Sequence, residues 1–354
     1  MSSLSKSGGV PAGKRTFLNC LNQFRGLAIL FVVIGHCFYL SGTGRRHSFS
    51  DKFLENFFKN GTVYFVFIAG FLFHHIQSGR FKAGAYFRKR LPRLLTPFFF
   101  FSILALVLNR EVLILPELFP QWVGSAVWAR KLFTLLTGAT FGAYWYIPMA
   151  VLLVALAPAV LWVVQRDRLM RWLLPLLCVV SLFGHRPPMP NFNTLHSLLY
   201  YLPVYLFGAL CARDQATVLP LCARHAGLWW GLGLAAVAAQ TLGYEQGNFH
   251  KPLFTYAGLD VNLLGKFFLT LGILGNLYRL EARPFRLLDF LAEYSFPIYF
   301  LHSPLILQLE RITGYIPFRG HLFMLPVLGI VMAFVTAGMA WMYFALIRRI
   351  RPVP

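Results

Sequence analysis

Leu21–Leu40 reads LNQFRGLAILFVVIGHCFYL. It is a nearly continuous apolar run, and about 20 residues at a rise of ~1.5 Å each cross the hydrocarbon core of a bilayer. Of the polar side chains that interrupt it, Asn22, Arg25 and His36 form a pattern. Arg25 and His36 stand eleven residues apart, close to three helical turns, so both project from one stripe of the helix. Asn22 lies one turn below Arg25 on that stripe. The axial separation of Arg25 and His36 is roughly 16 Å, about half a hydrocarbon thickness. One helix thus carries a cation near one membrane face and an imidazole near mid-depth. Ionisable groups at that depth are costly and usually face a protein interior or a wet cavity where they act. Taken singly, Arg25 also suits snorkelling to the headgroups and His36 an interhelical hydrogen bond; the shared stripe favours function.

The chain of 354 residues is 57% hydrophobic and 13% charged, with a mean hydropathy of +0.60. A soluble domain has no use for so much apolar surface, so the fold class is all-α, a polytopic transmembrane helical bundle. A transmembrane barrel is disfavoured because the apolar segments are continuous runs without ten-residue alternation. The net charge of +21 reads first as topology, since the basic residues are scattered through loops and no nucleic-acid module is found. Five cysteines, Cys20, Cys37, Cys178, Cys211 and Cys222, lie in or beside the apolar runs and form neither a disulfide framework nor a metal-ligand spacing. No small-residue cleavage site follows the first run, which is expected to be an uncleaved anchor.

Apolar runs mark about ten spans, near 21–40, 57–77, 93–109, 144–164, 172–184, 196–212, 227–243, 257–278, 295–311 and 323–347. With a cytoplasmic N-terminus, the loops on that side outnumber the others in Lys and Arg by nearly two to one, in keeping with the positive-inside rule. Both termini are then cytoplasmic, and Arg25 lies near the cytoplasmic face. The segment 110–143, with Pro116, Pro120, Trp122 and Trp128, suits an interfacial helix or lid. Pro187, Pro188 and Pro190 stiffen the loop after the fifth run. No inverted repeat and no appended soluble catalytic domain is seen.

A second signal precedes the third span: Tyr86-Phe87-Arg88-Lys89-Arg90-Leu91-Pro92-Arg93, then Pro97. Arginine forks bind phosphate oxygens bidentately, and a helix beginning near Pro92 would add its N-terminal N–H groups. For any one of these residues an ordinary positive-inside loop is the plainer reading. Together the two signals divide the labour. A phosphate-bearing donor rests its charged end on Arg25, Lys89, Arg90 and Arg93, and its reactive end reaches towards His36. Acyl-coenzyme A has that shape. His36 then either takes the proton of an acceptor hydroxyl or carries the acyl group as a nucleophile.

The chain resembles the acyltransferase 3 family of integral membrane acyltransferases, which includes many bacterial polysaccharide O-acetylases. The matching stretches run in family order: FRGLAILFVVIGH (Phe24 to His36), VYFVFIAGFLF (Val63 to Phe73), FRKRLPRLLTP (Phe87 to Pro97), YWYIP (Tyr144 to Pro148), YLPVYLFGAL (Tyr201 to Leu210) and YSFPIYFLHSPL (Tyr294 to Leu305). The resemblance implies a single membrane domain over 1–354, with cytoplasmic tails 1–16 and 348–354, in a bacterial inner membrane. It implies transfer of an acyl group, usually acetyl, from cytoplasmic acyl-CoA to a glycan hydroxyl, with His36 essential and Arg25, Arg90 and Arg93 assisting the donor. Acyl-CoA is a substrate, and no resident cofactor or metal is expected. Two positions depart from the family pattern: Asn22 stands where many members have Asp, and Ala69 where many have Ser. Asn orients a neighbour by hydrogen bonds but cannot pair charge with Arg25.

Asn22 and four further residues are candidates for the substrate path. Tyr299 and His302 share a face of the ninth span, either beside the acceptor or as interhelical hydrogen-bonders. Lys266 lies deep in the eighth span, where it neutralises a substrate charge or pairs with Asp260 or Glu310. Trp145 suits stacking on sugar or donor, and equally an interfacial anchor. His74 and His75 are adjacent, point apart on a helix and make a poor metal site. No GxSxG, HExxH, Walker A or GxGxxG sequence is present. Beside the O-acyltransferase reading stand two others: a transporter or flippase lined by Arg25, His36 and Lys266, and a non-catalytic component of a polysaccharide export machine.

Overall fold

The computed structural model describes residues 18–41, 48–108, 126–188, 193–243, 250–255, 257–312 and 323–350. Among them the secondary structure is helical, apart from one isolated bridge between Arg186 and His250. The helices are α1 (Asn19–His36), α2 (Phe38–Ser41), α3 (Phe49–Phe58), α4 (Thr62–Gln77), α5 (Ala83–Leu108), α6 (Val127–Thr137), α7 (Tyr146–Ala155), α8 (Ala157–Val164), α9 (Asp167–Gly184), α10 (Thr194–Arg213), α11 (Gln215–Arg224), α12 (Ala226–Gly243), α13 (Val261–Arg279), α14 (Arg286–Glu293), α15 (Ser295–Ile312) and α16 (Met324–Ile350).

Five of the described helical stretches are long and apolar enough to cross a membrane: Phe49–Gln77, Ala83–Leu108, Thr194–Arg213, Val261–Arg279 and Met324–Leu346. A sixth is added if α7 and α8, bent by 59° at Leu156, form one span. These are fewer than the apolar runs suggest, and the reason is chemical. Helices α1 and α15 carry polar side chains, α9 opens on Asp167, Arg168 and Arg171, and α12 is diluted by Gly, Trp and Gln.

The interior of the bundle is held by close backbone approach. Without a hydrophobic drive between helices in lipid, small residues let backbones meet and dispersion supply the contact. Helices α4 and α10 do this reciprocally: a Cβ on Gly70 would fall 2.0 Å from the Tyr205 carbonyl oxygen, and one on Gly208 2.1 Å from that of Phe67. Helix α1 sits at the centre, against α3, α4, α13, α14, α15 and α16. Its antiparallel seam with α4 is aromatic, with Phe24 on Tyr64 and Phe67, and Phe31 edge-on to Tyr64.

Two expectations are corrected here. The run 21–40 is not one helix, because α1 ends at His36 and the chain breaks at Cys37 before the short α2. Nor does the third long helix begin near Pro92. Helix α5 starts at Ala83, so Pro92 and Pro97 are interior and no helix N-terminus lies beside Arg90 and Arg93. Proline inside a helix costs a hydrogen bond, a cost membrane helices absorb more readily than soluble ones. Of the expected interfacial segment, Pro116, Pro120 and Trp122 lie outside the described residues. Trp128 is on α6 and exposed. In the proline-rich loop, Pro190 lies outside the described residues.

Candidate functional site

Helix α1 presents Asn22, Arg25 and His36 as its period requires, and its lower end is fixed by the segment leading into α14. Leu18 offers no side-chain cap, and the Glu281 carboxylate takes that place, accepting from the Asn19 and Cys20 amides at 2.6 Å each. A carboxylate at a helix N-terminus satisfies orphan donors and complements the dipole. One turn on, Asn22 Nδ2 donates to Asp289 Oδ1 of α14 at 2.8 Å, and Asn22 Oδ1 accepts from Arg25 Nη2 at 3.2 Å. The helices meet closely here: a Cβ on Gly26 would lie 2.1 Å from the Leu288 carbonyl oxygen. Arg25 is half-buried and its Nε has no partner.

Arg25 and His36 line one cavity of about 530 Å³. Arg90 and Arg93 of α5 line it too, as do Thr62 and Phe73 from opposite ends of α4. The cavity therefore follows α1 and α4 over several turns, with three arginines towards one end and His36 towards the other. Lys89 is exposed and is not among the lining residues, and neither is Arg88. Arg90 lies 6.0 Å from the Tyr86 ring centroid, on another wall residue.

His36 is half-buried, and its Nδ1 donates to the Val32 carbonyl at 2.8 Å. A carbonyl only accepts, so this bond places a proton on Nδ1 and makes Nε2 the nitrogen that can take a proton or an acyl carbon, with the Gly142 backbone also beside the ring. The fully buried His302 of α15 packs edge-on to His36 with centroids 5.0 Å apart. It is tied the same way, Nδ1 to the Ile298 carbonyl at 2.9 Å, and its buried Nε2 has no partner. His302 touches the cavity's histidine without lining the cavity.

Trp145 and Tyr299 are both in the wall. Trp145 is 5% exposed and stacks on Tyr201 at 5.8 Å, a buried setting unlike that of an interfacial anchor. Tyr299 donates its hydroxyl to the Ala143 carbonyl, pinning α15 to the turn before α7. Lys266 lies elsewhere. Its ammonium is fully buried, donates to the Phe57 carbonyl and sits 5.5–5.8 Å from the ring centroids of Phe31, Phe57 and Tyr64. It does not pair with Asp260, whose oxygens accept from the Tyr200 hydroxyl at 2.8 Å and the Leu263 amide at 2.9 Å. No group of His, Cys, Asp and Glu among the described residues is arranged to hold a metal ion.

Three residues that sequence reasoning did not single out belong to this region. Glu281 and Asp289 secure the α1 stripe, and the Arg186 guanidinium lies 5.2 Å from the Trp145 ring centroid. No local sequence signal marks the two acids, which act across more than 260 residues.

The family model of the acyltransferase 3 acyltransferase domain matches residues 18–344. No curated protein and no solved structure matches the chain.

Proposed function

The chain belongs to the acyltransferase 3 family and is a membrane acyltransferase, and from that premise we propose that it moves an acyl group, acetyl in the simplest case, from cytoplasmic acyl-CoA to a sugar hydroxyl of an exported or lipid-linked polysaccharide. It does so in a bacterial inner membrane, crossing it about ten times with both termini cytoplasmic. The observation that carries this reading is the single cavity joining Arg25, Arg90 and Arg93 to His36. Guanidinium groups suit the phosphates of a CoA nucleotide, and the cavity's length along α1 suits a donor with its thioester at the far end of a narrow arm.

In this reading His36 Nε2 takes the acceptor hydroxyl proton as the oxygen attacks the thioester carbonyl carbon. The tetrahedral intermediate then expels the sulfur, and the imidazolium returns its proton to the CoA thiolate, so the ester forms, the thioester breaks and the enzyme is restored. The Nδ1 bond to Val32 keeps the ring in the tautomer that this requires. Asn22 and Asp289 position Arg25.

The test uses sealed inverted membrane vesicles supplied with acetyl-labelled acetyl-CoA. Label is expected in the glycan with the wild-type protein and not with His36→Ala, at equal protein in the membrane. Undiminished labelling with His36→Ala overturns the reading in favour of a transporter or scaffold.

A further inference from the structure

Arg186 follows α9 in the chain, in the segment bridged to His250: the Lys251 amide donates to the Arg186 carbonyl at 3.0 Å. Its side chain turns inward and is 6% exposed. Among the described residues the guanidinium makes no hydrogen bond and no ion pair, and its Nε is buried without a partner. Among the described residues it lies over aromatic faces, with Trp145 at 5.2 Å and Tyr201 at 6.0 Å. Asp260 is close enough to feel it but spends its oxygens on Tyr200 and Leu263.

A largely buried guanidinium whose Nε has no hydrogen-bond partner is costly, and cation–π contact offsets only part of that cost. Other basic side chains lie nearby. Buried His250 is pushed down to about 3, by burial first and then by the charges of Arg186 and Lys59 beside it. Lys251 is buried in the same segment.

Trp145 joins this place to the cavity, since it lines the cavity and carries Arg186 against its ring. His36 lines the same cavity as Trp145, and the donor arginines lie towards its other end. We propose that Arg186, beside Trp145 and Tyr201, is the binding site for an anionic group of the acceptor glycan, a carboxylate or phosphate on or next to the sugar that is acylated. This rests on the acyltransferase reading and adds a substrate class to it, acidic glycans over neutral ones. A planar guanidinium takes either oxyanion bidentately, and an aromatic wall gives the sugar ring a face to lie on.

The test measures binding to the full-length protein in nanodiscs by calorimetry, with methyl glucuronide, methyl glucoside and glucose 1-phosphate as probes and acetyl-CoA as a separate titrant. The wild type is expected to bind at least one anionic probe about tenfold or more tighter than the glucoside, as a charge-assisted hydrogen bond implies. The glucuronide and phosphate arms identify which oxyanion is preferred. Arg186→Gln is expected to abolish the preference while acetyl-CoA binds as before, and Arg186→Lys, which keeps the charge should the Gln variant fail to fold, to recover part of it. Equal binding of glucuronide, phosphate and glucoside by the wild type overturns the proposal, as does a preference that survives Arg186→Gln. Loss of acetyl-CoA binding in Arg90→Ala tests the donor site alone, so failure of one reading is distinguishable from failure of the other.

Discussion

Asn22 donates to Asp289 across 2.8 Å while its carbonyl oxygen accepts from Arg25 at 3.2 Å. The carboxylate that α1 lacks is thus supplied by α14 and linked to Arg25 through an amide. Asn22→Asp places a second carboxylate against Asp289 and is expected to raise the KM for acyl-CoA about five- to tenfold, as the loss of ~1 kcal/mol implies. Combining it with Asp289→Asn restores one donor and one acceptor and is expected to recover most of the loss. Donor KM for both single variants and the double variant checks this, with a coupling of ~0.5–3 kcal/mol expected for groups in contact. Simple additivity would show that the three residues do not act as a unit.

Arg90 and Arg93 line the cavity, and Lys89 does not. Replacing either arginine with Ala is expected to raise the donor KM about 10- to 100-fold, the range set by a lost charge-assisted hydrogen bond of ~1.5–3 kcal/mol, and to leave the acceptor KM nearly unchanged. Lys89→Ala is expected to stay within about twofold of wild type, as an exposed cation contributes little. Steady-state kinetics with each substrate varied in turn distinguishes these outcomes. An acceptor KM that rises more than the donor KM would move the phosphates elsewhere.

Lys266 is buried on the Phe57 carbonyl, away from the cavity lining. Lys266→Met keeps the length and removes the charge. It is expected to leave acyl transfer intact and the protein as stable or more so, by up to ~1–4 kcal/mol, because burying a charge is costly. Thermal unfolding in detergent and the transfer assay together check it. A folded variant without transfer would give Lys266 a part in the reaction.

Gly208 faces the α4 backbone so closely that a Cβ would lie 2.1 Å from the Phe67 carbonyl oxygen. Gly208→Ala must push α4 and α10 apart and is expected to cost ~1–3 kcal/mol, as overpacking does. The melting temperature reports it, and an unchanged value would mean that the two helices separate at no cost.

The stripe from Asn22 to His36 is legible in sequence because a regular helix turns an eleven-residue interval into one face, and α1 is regular from Asn19 to His36. The all-helical fold is legible because continuous apolar runs have few other solutions. The helix start beside Arg90 is not, since Pro92 reads as a first-turn residue and only tertiary packing shows it to be interior. Lys89 is indistinguishable from Arg90 by composition, and the rotation of α5 separates the wall from the surface. Asp289 and Glu281 reach α1 from far along the chain, and no local pattern carries such a contact. Arg186 reads as one more loop cation until its burial is known.

The central claim is a division between donor binding at the arginines and bond exchange at His36. The most direct test is acetyl-CoA affinity and acyl transfer measured on the same preparation of His36→Gln. The expected result is affinity within about threefold of wild type with transfer lost, the signature of a group needed for the chemical step and not for donor binding. Transfer that persists in this variant, or a donor affinity that collapses with it, would contradict the division.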